Sequence, residues 1–318
     1  MTVGPPVLLL GFNRPEKMSQ LIGALSVSKP GLILIAVDGP RMHSATDADL
    51  VRKTQETASL VTWPATVIPR FRDVNLGLRD AVVDAVSWAT SEYGRVIVIE
   101  DDCVPGPDFL PFASNMLERF KDEPRVAHIN GYNLVAPNNL RDPSSPIRLT
   151  RYPESYAWAT WERAWNHYDN DLSWATQCPI QELRKITHSY VGAVRWKINF
   201  ADAKSERIQT WAYRWLASMW KNNLTIIAPN ANLVRYDGHD DGTHTRRKAR
   251  WTELPVSSEF ASSPDLAFDS QNFDEQADHW IAQNVFRENA LGIIEGVAAS
   301  VVMELLKRRQ EAKRKGTN

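Results

Sequence analysis

The stretch Gly94-Arg95-Val96-Ile97-Val98-Ile99-Glu100-Asp101-Asp102-Cys103 decides how the rest of the chain is read. Four consecutive β-branched apolar residues, Val96 to Ile99, stand between Gly94 and the later Pro105-Gly106, and predict a central strand buried on both faces. Three carboxylates come next at its C-terminal edge. Adjacent carboxylates repel one another and resist burial, so a positive partner is expected beside them. In an open α/β sheet, ligands bind in the crevice at the carboxyl ends of the strands. A hard divalent cation bridging carboxylate oxygens to a substrate phosphate suits that position. The plain alternative, a solvated acidic turn, does not explain three acids standing directly behind four core residues.

Upstream, Val7–Gly11 reads as a short apolar strand, followed by Phe12-Asn13-Arg14-Pro15 and a helix with Met18, Leu21, Ile22 and Leu25 on one face. Leu32–Val37 is a second buried strand ending in Asp38-Gly39-Pro40. A polar helix is predicted over Thr46–Leu60, a third strand over Ala65–Pro69, a turn at Asn75-Leu76-Gly77 and a helix over Leu78–Tyr93. Downstream come a helix over Asp108–Phe120 and a strand over Val126–Asn130. The alternation of strand and helix predicts a parallel sheet with right-handed crossovers. No G-x-G-x-x-G follows the first strand and no G-x-x-x-x-G-K-[ST] is present, which excludes dinucleotide and P-loop sites.

Beyond it, Tyr132 to Tyr156 is rich in Pro, Asn and Ser and reads as a long loop. Helices are predicted over Trp158–Tyr168, Gln181–Ile186, Val194–Ala203 and Gln209–Asn222, with short strands at Thr225–Ala228 and Leu233–Arg235. Residues 252–272 read as irregular and Phe273–Arg314 as mostly helical. Of twelve tryptophans, eight fall between Trp158 and Trp220, an asymmetry that calls for either an aromatic core or sugar-stacking surfaces.

Lys and Arg number 37 against 38 Asp and Glu, a balance that offers nucleic acid no basic field. Two cysteines, Cys103 and Cys178, exclude a disulfide framework and suit a reducing compartment. Neither a secretory signal nor a membrane span is expected, and a cytoplasmic location is the expectation. Leu291–Leu306 is largely apolar and Lys307–Lys315 is basic. That order suits a helix lying peripherally on the inner membrane face, or one that packs in a homodimer.

Together these landmarks resemble the GT-A fold glycosyltransferases that use nucleotide sugars, in particular the group of N-acetylglucosaminyltransferase I and its bacterial relatives in polysaccharide biosynthesis. The matching residues are Leu10–Pro15, Val37-Asp38, Asn75–Leu78, Val98–Asp102 at the place of the family's DXD-type metal motif, Trp158-Ala159-Thr160-Trp161, and Gly238–His244. The resemblance implies an α/β fold of GT-A (Rossmann-like) type, a mostly parallel sheet flanked by helices with a helical Trp-rich acceptor half. Residues 1–131 would be the nucleotide-sugar half and 132–250 the acceptor and metal-closing half. Residues 251–318 would form a C-terminal irregular segment and helix. It further implies that Asn13, Arg14, Asp38, Arg79, Glu100 and Asp101 meet the donor, and that Asp102 and His244 hold Mn²⁺ or Mg²⁺. Trp158 and Trp161 would border an acceptor that is a glycan, a lipid-linked sugar or a protein.

On the residues themselves, Asn13 reads equally well as a helix cap, Asp38 as a turn former, and Arg14 and Arg79 as solvated helix starts. The catalytic base is not identified, since the Thr210–Trp215 segment that corresponds to the family's base region contains no acid. Asp240, Asp241, Asp202 and Glu206 are the candidates. Two other classes compete. A sugar nucleotidyltransferase would need a Gly-rich loop after the first strand, and a non-catalytic carbohydrate or nucleotide module would leave the clustered acids without a use.

Overall fold

The computed structural model describes residues 4–238, 254–258, 260 and 272–298. The first half forms strand β1 (Val7–Gly11), helix α1 (Pro15–Ser28), β2 (Leu32–Val37), α2 (Asp47–Glu56), β3 (Thr66–Phe71), α3 (Leu78–Tyr93) and β4 (Arg95–Glu100). β2 pairs with β3 and β1, and β1 with β4, all in parallel. Alternation along the strands explains why both faces are apolar. Leu9, Ile35, Ile97 and Ile99 pack with Met18, Leu21, Ile22 and Leu25 of α1. Leu8, Leu10, Leu34, Val96 and Val98 pack on the opposite face with Val82, Ala85, Val86 and Ala89 of α3. Each such side chain, once buried, contributes roughly 1.5–3 kcal/mol.

The chain continues through β5 (Cys103–Pro105), α4 (Phe109–Arg119), β6 (Val126–Asn130), β7 (Ile147–Thr150), β8 (Trp158–Trp161) and α5 (Glu162–Trp165). Helices α6 (Ser173–Gln177), α7 (Ile180–Thr187), α8 (Tyr190–Lys204) and α9 (Ala212–Lys221) come after them. Then come β9 (Thr225–Pro229), β10 (Val234–Tyr236), α10 (Glu275–Asn284) and a helical stretch at 290–298. The main sheet runs β3-β2-β1-β4-β8-β6-β9-β7, and β10 pairs with β5 in a separate two-stranded ribbon. Among the described residues no helix is long and apolar enough to cross a membrane.

Two expectations are corrected. Trp158–Tyr168 is not one helix: Trp158–Trp161 is a strand wedged antiparallel between β4 and β6, and only Glu162–Trp165 is helical. The three-residue spacing of Trp158 and Trp161 mimics a helix, but a short apolar run buried between two strands has no periodicity of its own. Likewise the loop expected over 132–156 contains β7, antiparallel to β9 at the sheet edge. The sheet is therefore mixed, and β8 from the second half joins β4 to β6. The tryptophans mainly build core: Trp158, Trp165, Trp211 and Trp215 pack ring against ring on one face of the sheet, Trp158 stacked on Trp211, and Trp158 and Trp215 each tilted against Trp165. Trp196 and Trp220 join a helical layer into which α10 inserts Ala277, Ile281 and Ala282.

Candidate active site

The chain leaves β1 towards β2 on one side of the sheet and returns to β4 on its other side, the point at which an α/β sheet opens a crevice. A cleft of about 740 Å³ lies there, walled by Gly11 and Phe12 at the end of β1, Asp38 after β2 and Glu100–Asp102 at the end of β4. Its far side is made by Pro153–Tyr156, by Thr210, Ala212, Tyr213 and Leu216 at the start of α9, and by Val285 and Phe286 beyond α10.

The acids after β4 are held in place by the ribbon behind them. Cys103 pairs opposite Tyr236, and the Asp237 N–H donates to the Asp102 carbonyl at 2.8 Å. Lys17 of α1 donates to the Asp237 carbonyl at 2.9 Å, closing the turn from the other side. Arg14 lies between two of the carboxylates: its Nη1 donates to Asp101 Oδ1 at 3.0 Å and to Asp102 Oδ2 at 3.1 Å. The Cys103 thiol donates to Asp102 Oδ1 at 3.6 Å. Burial pushes the Asp101 carboxyl up to about 6 despite the pull of Arg14. Burial, then Asp102 and Asp101, raise Glu100 well above the usual carboxylate range, with the Trp211 side chain giving it a hydrogen bond. Glu100 remains partly open to the cleft, so this burial is the crowding of its surroundings rather than loss of access. Among the described residues, Arg14 bridges two of these three acids and Lys17 also acts on Asp101.

Asp38 occupies the neighbouring rim. Its Oδ1 accepts from the N–H groups of Gly39 and Leu76, both at 2.9 Å, and its Oδ2 from Asn75 Nδ2 at 2.9 Å and Gly77 N at 3.1 Å. Gly77 takes φ 81°, which lets the turn aim its N–H at the carboxylate and start α3 directly afterwards. Four donors fill the acceptor capacity of Asp38, so a ribose hydroxyl would have to displace one of them. Arg41 grips Asp47 through Nε at 2.6 Å and Nη2 at 2.9 Å, and lies over the Phe12 ring at 5.3 Å. Asn13 donates to the same Asp47 at 3.0 Å and is not among the cleft residues. The cap reading of Asn13 is corrected too: α1 is preceded by Arg14, with no side-chain cap.

Glu154 is the acid that the sequence did not single out. It is 7 % exposed, belongs to the cleft wall, and its Oε1 is sealed from water with no hydrogen-bond partner among the described residues. Its main chain, by contrast, is clamped. The Glu154 N–H donates to Asn130 Oδ1 at 2.9 Å, and its carbonyl lies 3.1 Å from His128 Nε2. Trp215 Nε1 donates to His128 Nδ1 at 3.1 Å, which makes Nε2 the protonated nitrogen and hence the donor to Glu154. Burial drives His128 down to about 3, so it stays neutral. The titratable groups around Glu154 are Arg148 on β7, His128 on β6 and Tyr156 on its own loop. Burial lifts the Glu154 carboxyl to about 8, with Arg148 pulling weakly the other way. Arg148 directs its guanidinium elsewhere, to the Pro229 carbonyl, Asn230 and Asn133 at 2.8–3.0 Å.

The other candidates fall away from the cleft wall. Arg79 pairs with Asp80 and Glu206, and Glu206 with Arg214 as well. Asp202 is gripped by Arg207 at 2.6–2.7 Å. Trp158 and Trp161 are core residues, 0 % and 4 % exposed. Asp240, Asp241 and His244 lie outside the described residues. Among the described residues, no three His, Cys, Asp or Glu side chains are arranged to enclose a metal ion.

No family model matches the chain, and no curated protein matches it. Among solved structures it is similar to the mannosyltransferase PcManGT of Pyrobaculum calidifontis in complex with GDP-Man and Mn²⁺, at 12 % identity and TM-score 0.35, covering 68 % of this chain and 69 % of that one. It is also similar to a Bacillus anthracis protein assigned as a glucose-1-phosphate thymidylyltransferase, in complex with sucrose, at 9 % identity and TM-score 0.31. There 51 % of this chain and 74 % of that one are covered.

Proposed function

We propose that the chain is a metal-dependent glycosyltransferase, moving a sugar from a nucleoside-diphosphate sugar to an acceptor hydroxyl in the cleft at the carboxyl ends of β1, β2 and β4. The observation that carries this reading is the charge balance of the corner. Glu100, Asp101 and Asp102 crowd at the end of a buried strand, and Arg14 spans two of them. Burial, with mutual repulsion added, raises the affinity of Glu100 and Asp101 for protons, and a bound cation would offset both. All-oxygen donors of this kind fit Mn²⁺ or Mg²⁺, which diphosphate oxygens would then complete. Asp102 would be the direct ligand, with Asp101 and Glu100 around it; His244 is proposed as a ligand on the sequence landmark alone. Once bound, the cation stabilises the negative charge that develops on the leaving diphosphate.

The chain's own residues divide the remaining work. Arg14 offers a fork that suits a phosphate oxygen as well as the carboxylates it now spans. Phe12, with Arg41 across its ring, gives a flat apolar surface on which a nucleobase stacks. Asp38 fixes the Asn75-Leu76-Gly77 rim against which the donor lies. Tyr213, Leu216, Val285 and Phe286 give the acceptor side an apolar lining. The helical stretch at 290–298 exposes Leu291, Ile294 and Val297, 48–64 % open to solvent and three residues apart, which favours peripheral contact with a membrane carrying a lipid-linked acceptor. Replacing all three by Asp should lower co-sedimentation with anionic vesicles; unchanged binding would leave the acceptor unconnected to a membrane.

The decisive assay supplies UDP- and GDP-sugars with Mn²⁺ and measures nucleoside diphosphate released, with and without EDTA. Mn²⁺-dependent release supports the reading. Release of pyrophosphate from a nucleoside triphosphate and a sugar phosphate would replace it with nucleotidyl transfer.

A further inference from the structure

The loop Tyr152-Pro153-Glu154-Ser155-Tyr156 is held by its surroundings at nearly every point except the carboxylate of Glu154. Besides the clamps on the Glu154 main chain, the Tyr152 hydroxyl donates to Glu288 Oε1 at 2.8 Å, and the Tyr156 ring packs against Tyr132 and Tyr236. The junction to β8 is strained: Ala157 takes φ 141°, a conformation that side chains disfavour. Its carbonyl accepts from Gly131 N at 2.8 Å, and a side chain on Gly131 would run into that oxygen and into Phe109. The fold therefore sustains a strained residue, a glycine, a buried neutral histidine and a buried asparagine to keep this loop where it is. What the loop presents is one carboxylate with no hydrogen-bond partner for its Oε1 among the described residues.

Glu154 and Asp102 wall the same cleft. The rival acids outside the wall, Asp202 and Glu206, hydrogen-bond to arginines, whereas Arg148 beside Glu154 gives Nη1 and Nη2 to Asn133, Asn230 and Pro229 and acts on Glu154 by its charge, its Nε having no hydrogen-bond partner among the described residues.

We propose that Glu154 is the group that takes the proton from the attacking hydroxyl, an assignment that rests on the glycosyl-transfer reading above. The acceptor oxygen forms its bond to the anomeric carbon while the bond from that carbon to the diphosphate oxygen breaks. The electron pair leaves on the diphosphate, and the hydroxyl proton passes to the Glu154 carboxylate. Attack from the face opposite the leaving group inverts the anomeric centre. A buried carboxyl whose Oε1 accepts no hydrogen bond among the described residues costs the fold stability, and proton transfer is a use that explains its retention.

The test compares wild type, Glu154→Gln and Glu154→Asp on the panel of UDP- and GDP-sugars with Mn²⁺, with water and then azide as the attacking group. Azide brings no proton, so it needs no base. With water, Glu154→Gln should release nucleoside diphosphate about a thousandfold more slowly than wild type, and Glu154→Asp should keep part of the rate. With azide, Glu154→Gln should recover towards the wild-type rate and yield a glycosyl azide of inverted configuration, its affinity for UDP or GDP unchanged. Equal rates with water would overturn the assignment. So would a lost rate that azide does not restore, or a loss of UDP and GDP binding, which would mark Glu154 as structural. A wild type that releases nothing from any donor would instead overturn the glycosyl-transfer reading, and this role with it.

Discussion

The carboxylates of Glu100–Asp102 and that of Glu154 wall one cleft, yet the chain surrounds them differently. At the end of β4 the side chains are bridged and partnered, by Arg14, by the Cys103 thiol and by the Trp211 side chain, while Lys17 and Asp237 tie down the main chain around them. At Glu154 the main chain is clamped and the side-chain Oε1 accepts no hydrogen bond among the described residues, with Arg148 acting on it by charge alone. A cluster with fixed side chains and surplus charge suits a ligand that stays through the reaction and brings its own charge. A fixed main chain with an unpaired side chain suits a group that must change protonation state at each turnover, since a hydrogen bond or ion pair to it would have to be broken every time.

On that contrast, the partnered corner should respond with an effect of the same order as that of Glu154→Gln. Asp102→Asn swaps an anionic donor for a neutral one of nearly equal volume and should lower Mn²⁺-dependent turnover by about 10²–10³-fold with the fold intact by circular dichroism. Full activity in this variant, with EDTA present, would erase the distinction between the two regions. The unpaired carboxylate should govern the pH profile. The reactive form is the deprotonated one, and burial holds the group near 8, so the rate should rise about tenfold per pH unit below that value and level off above it. In Glu154→Gln the rising limb should vanish. A wild-type rate that falls over the same range would make Glu154 a proton donor instead.

Much of the partnered corner was legible in the sequence because it obeys local rules. Four β-branched residues force a strand, the residues just past a strand end are exposed at the sheet's rim, and three acids in a row cannot all be decoration. Asp38 and Asn75-Leu76-Gly77 were legible as turn chemistry, but not as one unit, because the hydrogen bonds joining them span 36 or more residues. The Glu154 region was not legible, for physical reasons. Ile147-Arg148-Leu149-Thr150 alternates as a strand should, but a charged Arg148 argues for an exposed face, and the hydrogen bonds of its Nη1 and Nη2 to Asn133, Asn230 and a carbonyl become visible only in the fold. His128 carries no local signal, because Trp215 and the Glu154 carbonyl, with which it hydrogen-bonds, lie far away in sequence. The one local hint was an acid enclosed by Tyr152, Pro153 and Tyr156, in a stretch otherwise read as loop.

Asp38 gives an intermediate case that sharpens the contrast, a carboxylate whose side chain is fully occupied by the main chain and Asn75. Asp38→Asn keeps the shape but turns one acceptor oxygen into a donor that faces other donors, at a cost of about 1–3 kcal/mol. The rim should loosen, and UDP or GDP affinity should fall by about tenfold, measured by titration calorimetry. Unaltered affinity would mean that the rim does not touch the nucleotide.

A further effect is on stability, and it needs no substrate. Between the ordinary glutamate value of 4.5 and about 8, the folded chain keeps on Glu154 a proton that the unfolded chain releases. The native state therefore binds more protons in that window, and its stability falls as pH rises, by at most about 1.4 kcal/mol for each pH unit. Glu154→Gln removes this contribution while leaving Asp101, Asp278 and Glu100, whose carboxyls are raised in the same sense, as they were. The difference between variant and wild type thus isolates one residue. At pH 4, below both values, folded and unfolded chains alike carry the proton on most molecules, so the two melting temperatures should nearly coincide. At pH 8.5 the wild type must bury a charge that its hydrogen bonds do not support, and the variant should melt higher. Arg148 limits the gain, because its attraction to the ionised carboxylate is lost as well. A variant that melts at or below the wild-type temperature at pH 8.5 would show that the carboxylate is held as securely as the acids at the end of β4, and the contrast between the two regions would be gone.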